Sequence, residues 1–312
     1  MRLLITGGLG FVGSHLVDSL SKKNHNIIIL TKTLSKKSNV STLNKKITIK
    51  KTDITNFKKV GKIIEAFKPN IIIHLAGNTS HSKSFEKPLE DVDSNIKTTL
   101  CMLEKIKELK IPCRFILGST FIVIGRPKKL PVNEDTICNP TTIYGTNKLA
   151  SEHLCKIYHD LYGINTNVFR ITNSYGPREQ IIPNKNAVNF LIYKAFKKEK
   201  ISIYNKGEFF RDLIYVDDVI SGINTIVKKG KSGELYWISS GSKTWFKKFG
   251  CILQKFTKCE IDFPQTPNYT KKVDVGNFVV NNSKLKKLGW KPKVTINDGI
   301  RKTLEFFESN QR

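Results

Sequence analysis

The chain has 312 residues, of which 39% are apolar and 10% aromatic, enough for a sizeable core and too many for a disordered tail. Fifty-three Lys and Arg against 26 Asp and Glu give a formal charge of +27, which invites a nucleic-acid or anionic-membrane reading. Only eight of those cations are Arg, and the lysines fall in short scattered pairs, so the charge is expected to be a solvated surface with no specific nucleic-acid partner.

Through the first 180 residues, strand-like and helix-like segments alternate. Short apolar runs predict strands at Leu3–Thr6, Ile27–Leu30, Ile47–Lys50, Ile71–Leu75, Arg114–Leu117 and Asn167–Ile171. Helices are expected at about Phe11–Ser21, Asn56–Phe67, Val92–Leu109 and Tyr144–Tyr162. A β-α-β-α order with near-continuous apolar strands predicts an α/β fold, a doubly wound parallel sheet of Rossmann type covered on both faces. The rhythm changes after about residue 178. A helix at Ala187–Lys198, a strand at Ile201–Tyr204, a turn at Asn205–Gly207 and a strand at Asp212–Val216 lead to a helix that Asp217-Asp218 would cap. The last helix is expected at Ile296–Glu308. We expect a dinucleotide-binding domain over 1–178, rejoined by about 209–230, and a smaller mixed lobe interleaved with it over 179–312.

Six cysteines show no C-x-x-C spacing, and no His or Cys cluster has metal-ligand spacing, His74 and His81 included; no metal is expected. No charged-then-apolar leader precedes Leu3-Leu4-Ile5, and no apolar run approaches the ~20 residues of a membrane span. A soluble, cytoplasmic protein with free thiols and no membrane partner is expected.

The first motif is Thr6-Gly7-Gly8-Leu9-Gly10-Phe11-Val12-Gly13, between a strand and a helix. Gly7 would allow the tight turn, Gly10 the approach of a pyrophosphate and Gly13 close helix–strand packing, with phosphates on the helix N-terminus at Phe11 and Val12. The second strand ends Leu30-Thr31-Lys32, without the carboxylate expected to grip an adenosine ribose. Lys32, Lys36 or Lys37 would suit a 2′-phosphate, so NADP stays open beside NAD. Asp53, followed by Ile54, is placed to contact the adenine. The second motif is Tyr144-x-x-x-Lys148, whose members share a helix face. An ammonium one turn from a phenol, with a nicotinium cation nearby, is expected to lower the phenol's pKa and make Tyr144 a general acid–base, with Thr120 at a strand end bonding the same substrate oxygen.

With these motifs the chain resembles the extended short-chain dehydrogenase/reductase superfamily, its NAD-dependent nucleotide-sugar epimerases and dehydratases, and most of all the UDP-glucose 4-epimerase type. Further matching segments are His74-Leu75-Ala76-Gly77, Asn95, Gly118-Ser119-Thr120, Arg170 through Arg178, Gly207 through Val219, and Leu288-Gly289-Trp290. The resemblance implies a Thr120–Tyr144–Lys148 catalytic triad. It implies Leu75, Ala76, Gly77 and Asn95 beside the nicotinamide ribose, Asn173 and Arg211 on a nucleotide diphosphate, and Lys271 where the family has a second arginine. It also implies a homodimer through the helices beginning near Asn95 and Tyr144. Thr120 is followed by Phe121-Ile122 rather than the Asp-Glu pair of 4,6-dehydratases, so elimination chemistry is not expected. Two enzymes remain open: an NDP-sugar 4-epimerase holding NAD tightly, and an NADPH-dependent reductase of an NDP-4-keto-6-deoxysugar. A third reading from another class, a dinucleotide-binding RNA partner or redox sensor, rests on the charge alone.

Overall fold

The computed structural model describes residues 1–40, 46–183, 186–265 and 274–310. The six expected strands form as β1 (Arg2–Thr6), β2 (Asn26–Thr31), β3 (Ile47–Lys51), β4 (Ile71–His74), β5 (Arg114–Thr120) and β6 (Thr166–Ile171). A seventh, Leu235–Ile238, lies beside β6, and the parallel sheet then runs β6, β5, β4, β1, β2, β3. The order reverses between β1 and β4, where an open α/β sheet leaves a crevice beyond its strand ends.

Both faces are covered, which is why the strands read as unbroken apolar runs. Alternate residues point to opposite sides. Leu3, Ile5, Ile29 and Ile73 pack with Leu16, Val17 and Leu20 of α1 (Phe11–Ser21). Leu4, Ile28, Ile72 and Phe115 pack with Val60 and Ile64 of α2 (Phe57–Phe67), and with residues of the helices that follow β4 and β5.

Three expectations need correction. The helix predicted over Val92–Leu109 begins earlier and is not uniform. After α3 (His81–Glu86) it consists of α4 (Pro88–Val92), a π-helical turn at Asp93–Lys97, and α5 (Thr98–Leu109). Side chains intrude on the ladder there: Thr98 Oγ1 donates to Ser94 O at 2.8 Å and Thr99 Oγ1 to Asn95 O at 2.9 Å. After α6 (Ile143–Tyr162) and α7 (Ala187–Phe196), the strand predicted at Asp212–Val216 is shorter, Leu213–Tyr215, and a separate, unexpected strand precedes it at Phe210–Arg211. Phe210–Arg211 pairs antiparallel with Thr244–Trp245, whereas Leu213–Tyr215 pairs parallel with Asn173–Tyr175. The buried Asp212 makes the break, its carboxylate accepting the N–H groups of Ser240, Gly241 and Val280. Lastly, Asp217 and Asp218 do not cap α8 (Val216–Lys229) but lie in its first turn, behind Tyr215. Asp218 accepts instead from Lys293 N and Val294 N, pinning the chain that leads to the last helix, Ile296–Ser309.

Val219, Ile223 and Ile226 of α8 share one core with α1, while Ile192 of α7, Phe249 and Phe307 extend that core into the smaller lobe. Among the described residues no helix is long and apolar enough to cross a membrane. The six cysteines form no disulfide.

Candidate active site

The glycine turn sits on the carboxyl end of β1. Gly7 adopts φ +71°, and a Cβ at Gly13 would stand 2.1 Å from the Gly7 carbonyl, so the turn and the first coil of α1 are pressed together. Gly10 is the N-cap of α1 and brings no side chain to it. The N–H groups at Phe11 and Val12 are therefore left for an external acceptor, the arrangement that suits a phosphate. This cradle, which a Cβ would fill, fits a dinucleotide pyrophosphate.

Behind it, His74 is 1% exposed at the end of β4. The Thr98 hydroxyl spends its proton on Ser94 O, so His74 Nε2 donates to Thr98 Oγ1 at 3.3 Å and Nδ1 accepts from Thr6 Oγ1 at 2.7 Å. Thr6 Oγ1 in turn accepts the N–H groups of Leu75 and Ala76. Burial, aided by Lys148, lowers the His74 pKa to about 3, so the ring is a neutral structural strut that holds the 75–77 turn. Gly77 closes that turn, and its would-be Cβ lies 2.4 Å from Asn95 Oδ1. Leu75, Ala76, Gly77 and Asn95 are thus gathered beside the glycine turn.

At the end of β2, Lys32 and Asp53 meet. The parallel register sets Thr31 beside Lys51, and two residues on, Asp53 Oδ2 pairs with Lys32 Nζ at 2.9 Å. Asp53 Oδ1 takes Thr55 N and Oγ1. Against partial burial, these bonds and Lys32 hold the Asp53 carboxyl below its usual pKa. Ile54 is buried, and Thr31 Oγ1 is turned to Thr33 O.

The catalytic candidates converge from β5 and α6. Strand β5 runs three residues past its predicted end, to Thr120. Helix α6 starts at an N-cap, Thr142, that accepts Gly145 N at 3.0 Å, and buries Tyr144, Asn147, Lys148, Ser151 and Glu152 on one face. The Thr120 side chain lies near enough to the Tyr144 phenol to favour its ionised form. In the chain by itself, burial pushes the Tyr144 phenol up, Thr120 opposes this, and the Asp91 charge adds to it; the expected lowering involves a nicotinium cation as well as Lys148. Lys148 pays the same cost in the opposite sense, since burial lowers its pKa to about 8 while Glu152, Cys155 and Asp91 favour its charged form. Glu152 is itself held by Arg170, 2.6 Å away, with both side chains 4% exposed.

Beyond β6, Asn173 begins the short strand beside Leu213, and its Nδ2 is buried without a hydrogen-bond partner. Such an orphaned donor costs stability unless something accepts from it. Arg211 is 8% exposed, lies 4.9 Å from the Phe209 ring centroid, and donates to Asp274 Oδ1 at 2.5 Å and Phe210 O at 3.1 Å. Lys271 lies outside the described residues. The sequence reading passed over Arg126, whose Nε donates to the Asp274 carbonyl so that two arginines converge on one residue. It also passed over Asp91, Asn78 and Asn147, polar residues with no recognisable motif spacing.

The chain matches the family described as GDP-mannose 4,6-dehydratase over residues 4–303. It is 31% identical to a putative UDP-glucose 4-epimerase of Methanocaldococcus jannaschii, over 99% of each chain. Among solved structures it is similar to the UDP-glucose 4-epimerase of Thermotoga maritima with UDP-glucose, at a TM-score of 0.91 and 29% identity over 100% of both chains. The Thermus thermophilus UDP-glucose 4-epimerase in complex with NAD matches at 0.88 and 25% identity, over 99% of both chains.

Proposed function

The chain belongs to the extended short-chain dehydrogenase/reductase family of NAD-dependent nucleotide-sugar epimerases and dehydratases, and from that premise we propose that it is a nucleotide-sugar 4-epimerase. The observation that carries the reading is the convergence of Thr120, at the end of β5, on the buried Tyr144 phenol, with Lys148 one turn along the same buried helix face. Phe121 and Ile122 stand where a dehydratase needs an acid and a base, and Ile122 is buried, so neither of these two residues can remove water from C5 and C6 of a sugar.

In this reading, Tyr144 takes the proton from the sugar O4 and later returns it, while Thr120 holds the same oxygen in line. Lys148 supports the phenolate through its charge and orients the nicotinamide ribose. Bound NAD supplies the hydride acceptor and donor at C4. Gly7, Gly10 and Gly13 with the Phe11 and Val12 N–H groups hold its pyrophosphate, and Leu75, Ala76, Gly77 and Asn95 line its nicotinamide half. Asn173 offers its unpaired amide and Arg211 its guanidinium to the nucleotide diphosphate. The solved relatives with UDP-glucose and with NAD support both ligand classes. Homodimerisation belongs to the same reading, since Ile157, Leu161 and Tyr162 leave an apolar edge exposed on α6.

One observation favours the reductase: β2 ends at Thr31, followed by Lys32, without a ribose carboxylate on that strand. The two enzymes separate on purification. The protein is denatured and the released nucleotide identified. The native protein is then given UDP-glucose, UDP-galactose and their N-acetyl analogues without added cofactor. Released NAD with interconversion supports the epimerase. No bound nucleotide, and turnover of a 4-keto sugar only with added NADPH, overturns it.

A further inference from the structure

Asp91 is 1% exposed, and nothing in the reaction sketched above uses it. Its Oδ1 accepts from Asn78 Nδ2 at 2.6 Å, and its Oδ2 from Asn147 Nδ2 at 2.6 Å and Asn95 Nδ2 at 3.2 Å. One buried carboxylate therefore ties together the loop after β4, the π-helical turn and the catalytic helix. Its acceptor oxygens also decide how each amide is turned. Asn95 directs Nδ2 at Asp91 and at Asn78 O, so Oδ1 is the atom that faces Gly77. Asn147 lies between Tyr144 and Lys148 in α6, and the turn that carries Asn95 is braced on α6 through Ser151, whose hydroxyl is bonded to both Asn95 O and Asn147 O.

The charge acts as well as the bonds. The titratable groups acting on Lys148 are Glu152 and Cys155 of α6 and Asp91 of α4, with His74 of β4 neutral beside it. Arg170 of β6 already neutralises Glu152 in a bidentate pair. The amides around Asp91, by contrast, are uncharged and leave its negative charge intact.

The geometry points to Asp91 as a positioning residue for the reaction: its carboxylate sets the Asn78, Asn95 and Asn147 amides and so fixes the turn beside Gly77 against the helix face that carries Tyr144 and Lys148. Its charge also favours the Lys148 ammonium, after Glu152 and Cys155. The consequence for turnover rests on the proposed epimerase reading; the effect on Lys148 does not.

The test uses the full-length protein as purified. The Lys148 Nζ resonance is followed by ¹⁵N-lysine NMR against pH, assigned as the signal lost in Lys148→Met. Asp91→Asn keeps the shape and removes the charge. The expected result is a Lys148 titration moved down by about one unit. UDP-glucose turnover is expected to fall about tenfold or more at unchanged KM, with bound NAD retained. An unmoved titration, or an activity loss that only follows loss of folded protein, overturns the assignment. Asn147→Ala serves if Asp91→Asn does not fold. It keeps the charge, so the titration is expected to stay in place while kcat falls about tenfold; a wild-type rate overturns the assignment. Because the titration needs no substrate, it judges Asp91 even where no sugar is interconverted.

Discussion

Lys32 and Asp53 form an ion pair at 2.9 Å, although the sequence reading gave each a separate part of the adenosine. Lys32 is largely exposed, so the pair itself contributes about 0–1 kcal/mol. Under the proposed cofactor placement its effect is on specificity, because the Asp53 carboxylate offsets the Lys32 charge that a 2′-phosphate would need. Asp53→Asn is therefore expected to raise NADP affinity severalfold. Calorimetric titration of the stripped protein with both cofactors checks this, and a variant that gains nothing for NADP leaves Lys32 without a part in the choice.

Removal of the phenol oxygen by Tyr144→Phe is expected to cut turnover by ~10²–10⁴-fold, the loss typical of a general acid–base. The Tyr144 N–H to Ser84 bond and the Thr142 cap are untouched, so the melting temperature is expected to stay close to wild type. A variant with wild-type rate would place the proton transfer elsewhere.

Lys148 links activity and stability to pH with opposite signs. Its pKa falls from 10.5 to about 8 on folding, so between pH 8 and 10.5 the unfolded chain binds the extra proton. Stability from this group therefore rises with pH across that window, by roughly 3 kcal/mol in all. Turnover should fall over the same window as the ammonium is lost. Urea unfolding and initial rates at stepped pH test the pair of trends, and Lys148→Met is expected to abolish the first.

Gly77→Ala would set a methyl group 2.4 Å from Asn95 Oδ1. Asn95 cannot swing aside, since its amide nitrogen is bonded to Asp91 and Asn78 O. A destabilisation of about 1–3 kcal/mol is expected, the usual cost of overpacking. Loss of copurifying NAD should accompany it, read from the absorbance of the denatured supernatant.

Glu152→Gln would leave the Arg170 guanidinium buried without its counter-charge, and Arg170 Nη1 already has no partner. Breaking one side of a buried pair costs about 3–5 kcal/mol, which denaturant unfolding would register. If stability is unchanged, the pair contributes little to holding α6 against β6.

The sequence by itself determined the sheet and its covering helices, the glycine turn and the Tyr144–Lys148 helix face. Each follows from a local rule: apolar runs for buried parallel strands, glycines where a Cβ would clash, an i to i+4 spacing along one helix. The strands form within a few residues of their predicted bounds because that signal is repeated at every position. Tertiary structure alone decided the rest. The π-helical turn at Asp93–Lys97 depends on hydroxyls and amides finding partners across the fold, and Asp212 breaks its strand only because Ser240, Gly241 and Val280 arrive from distant segments. Lys32 met Asp53, and Asp91 met Asn147, across parallel register and helix packing that no spacing encodes. The electrostatics of the site followed the same division. Residue type suggested that Lys148 would make Tyr144 more acidic, but burial acts on both groups and favours their neutral forms, and only the packed site shows which charges remain to oppose it.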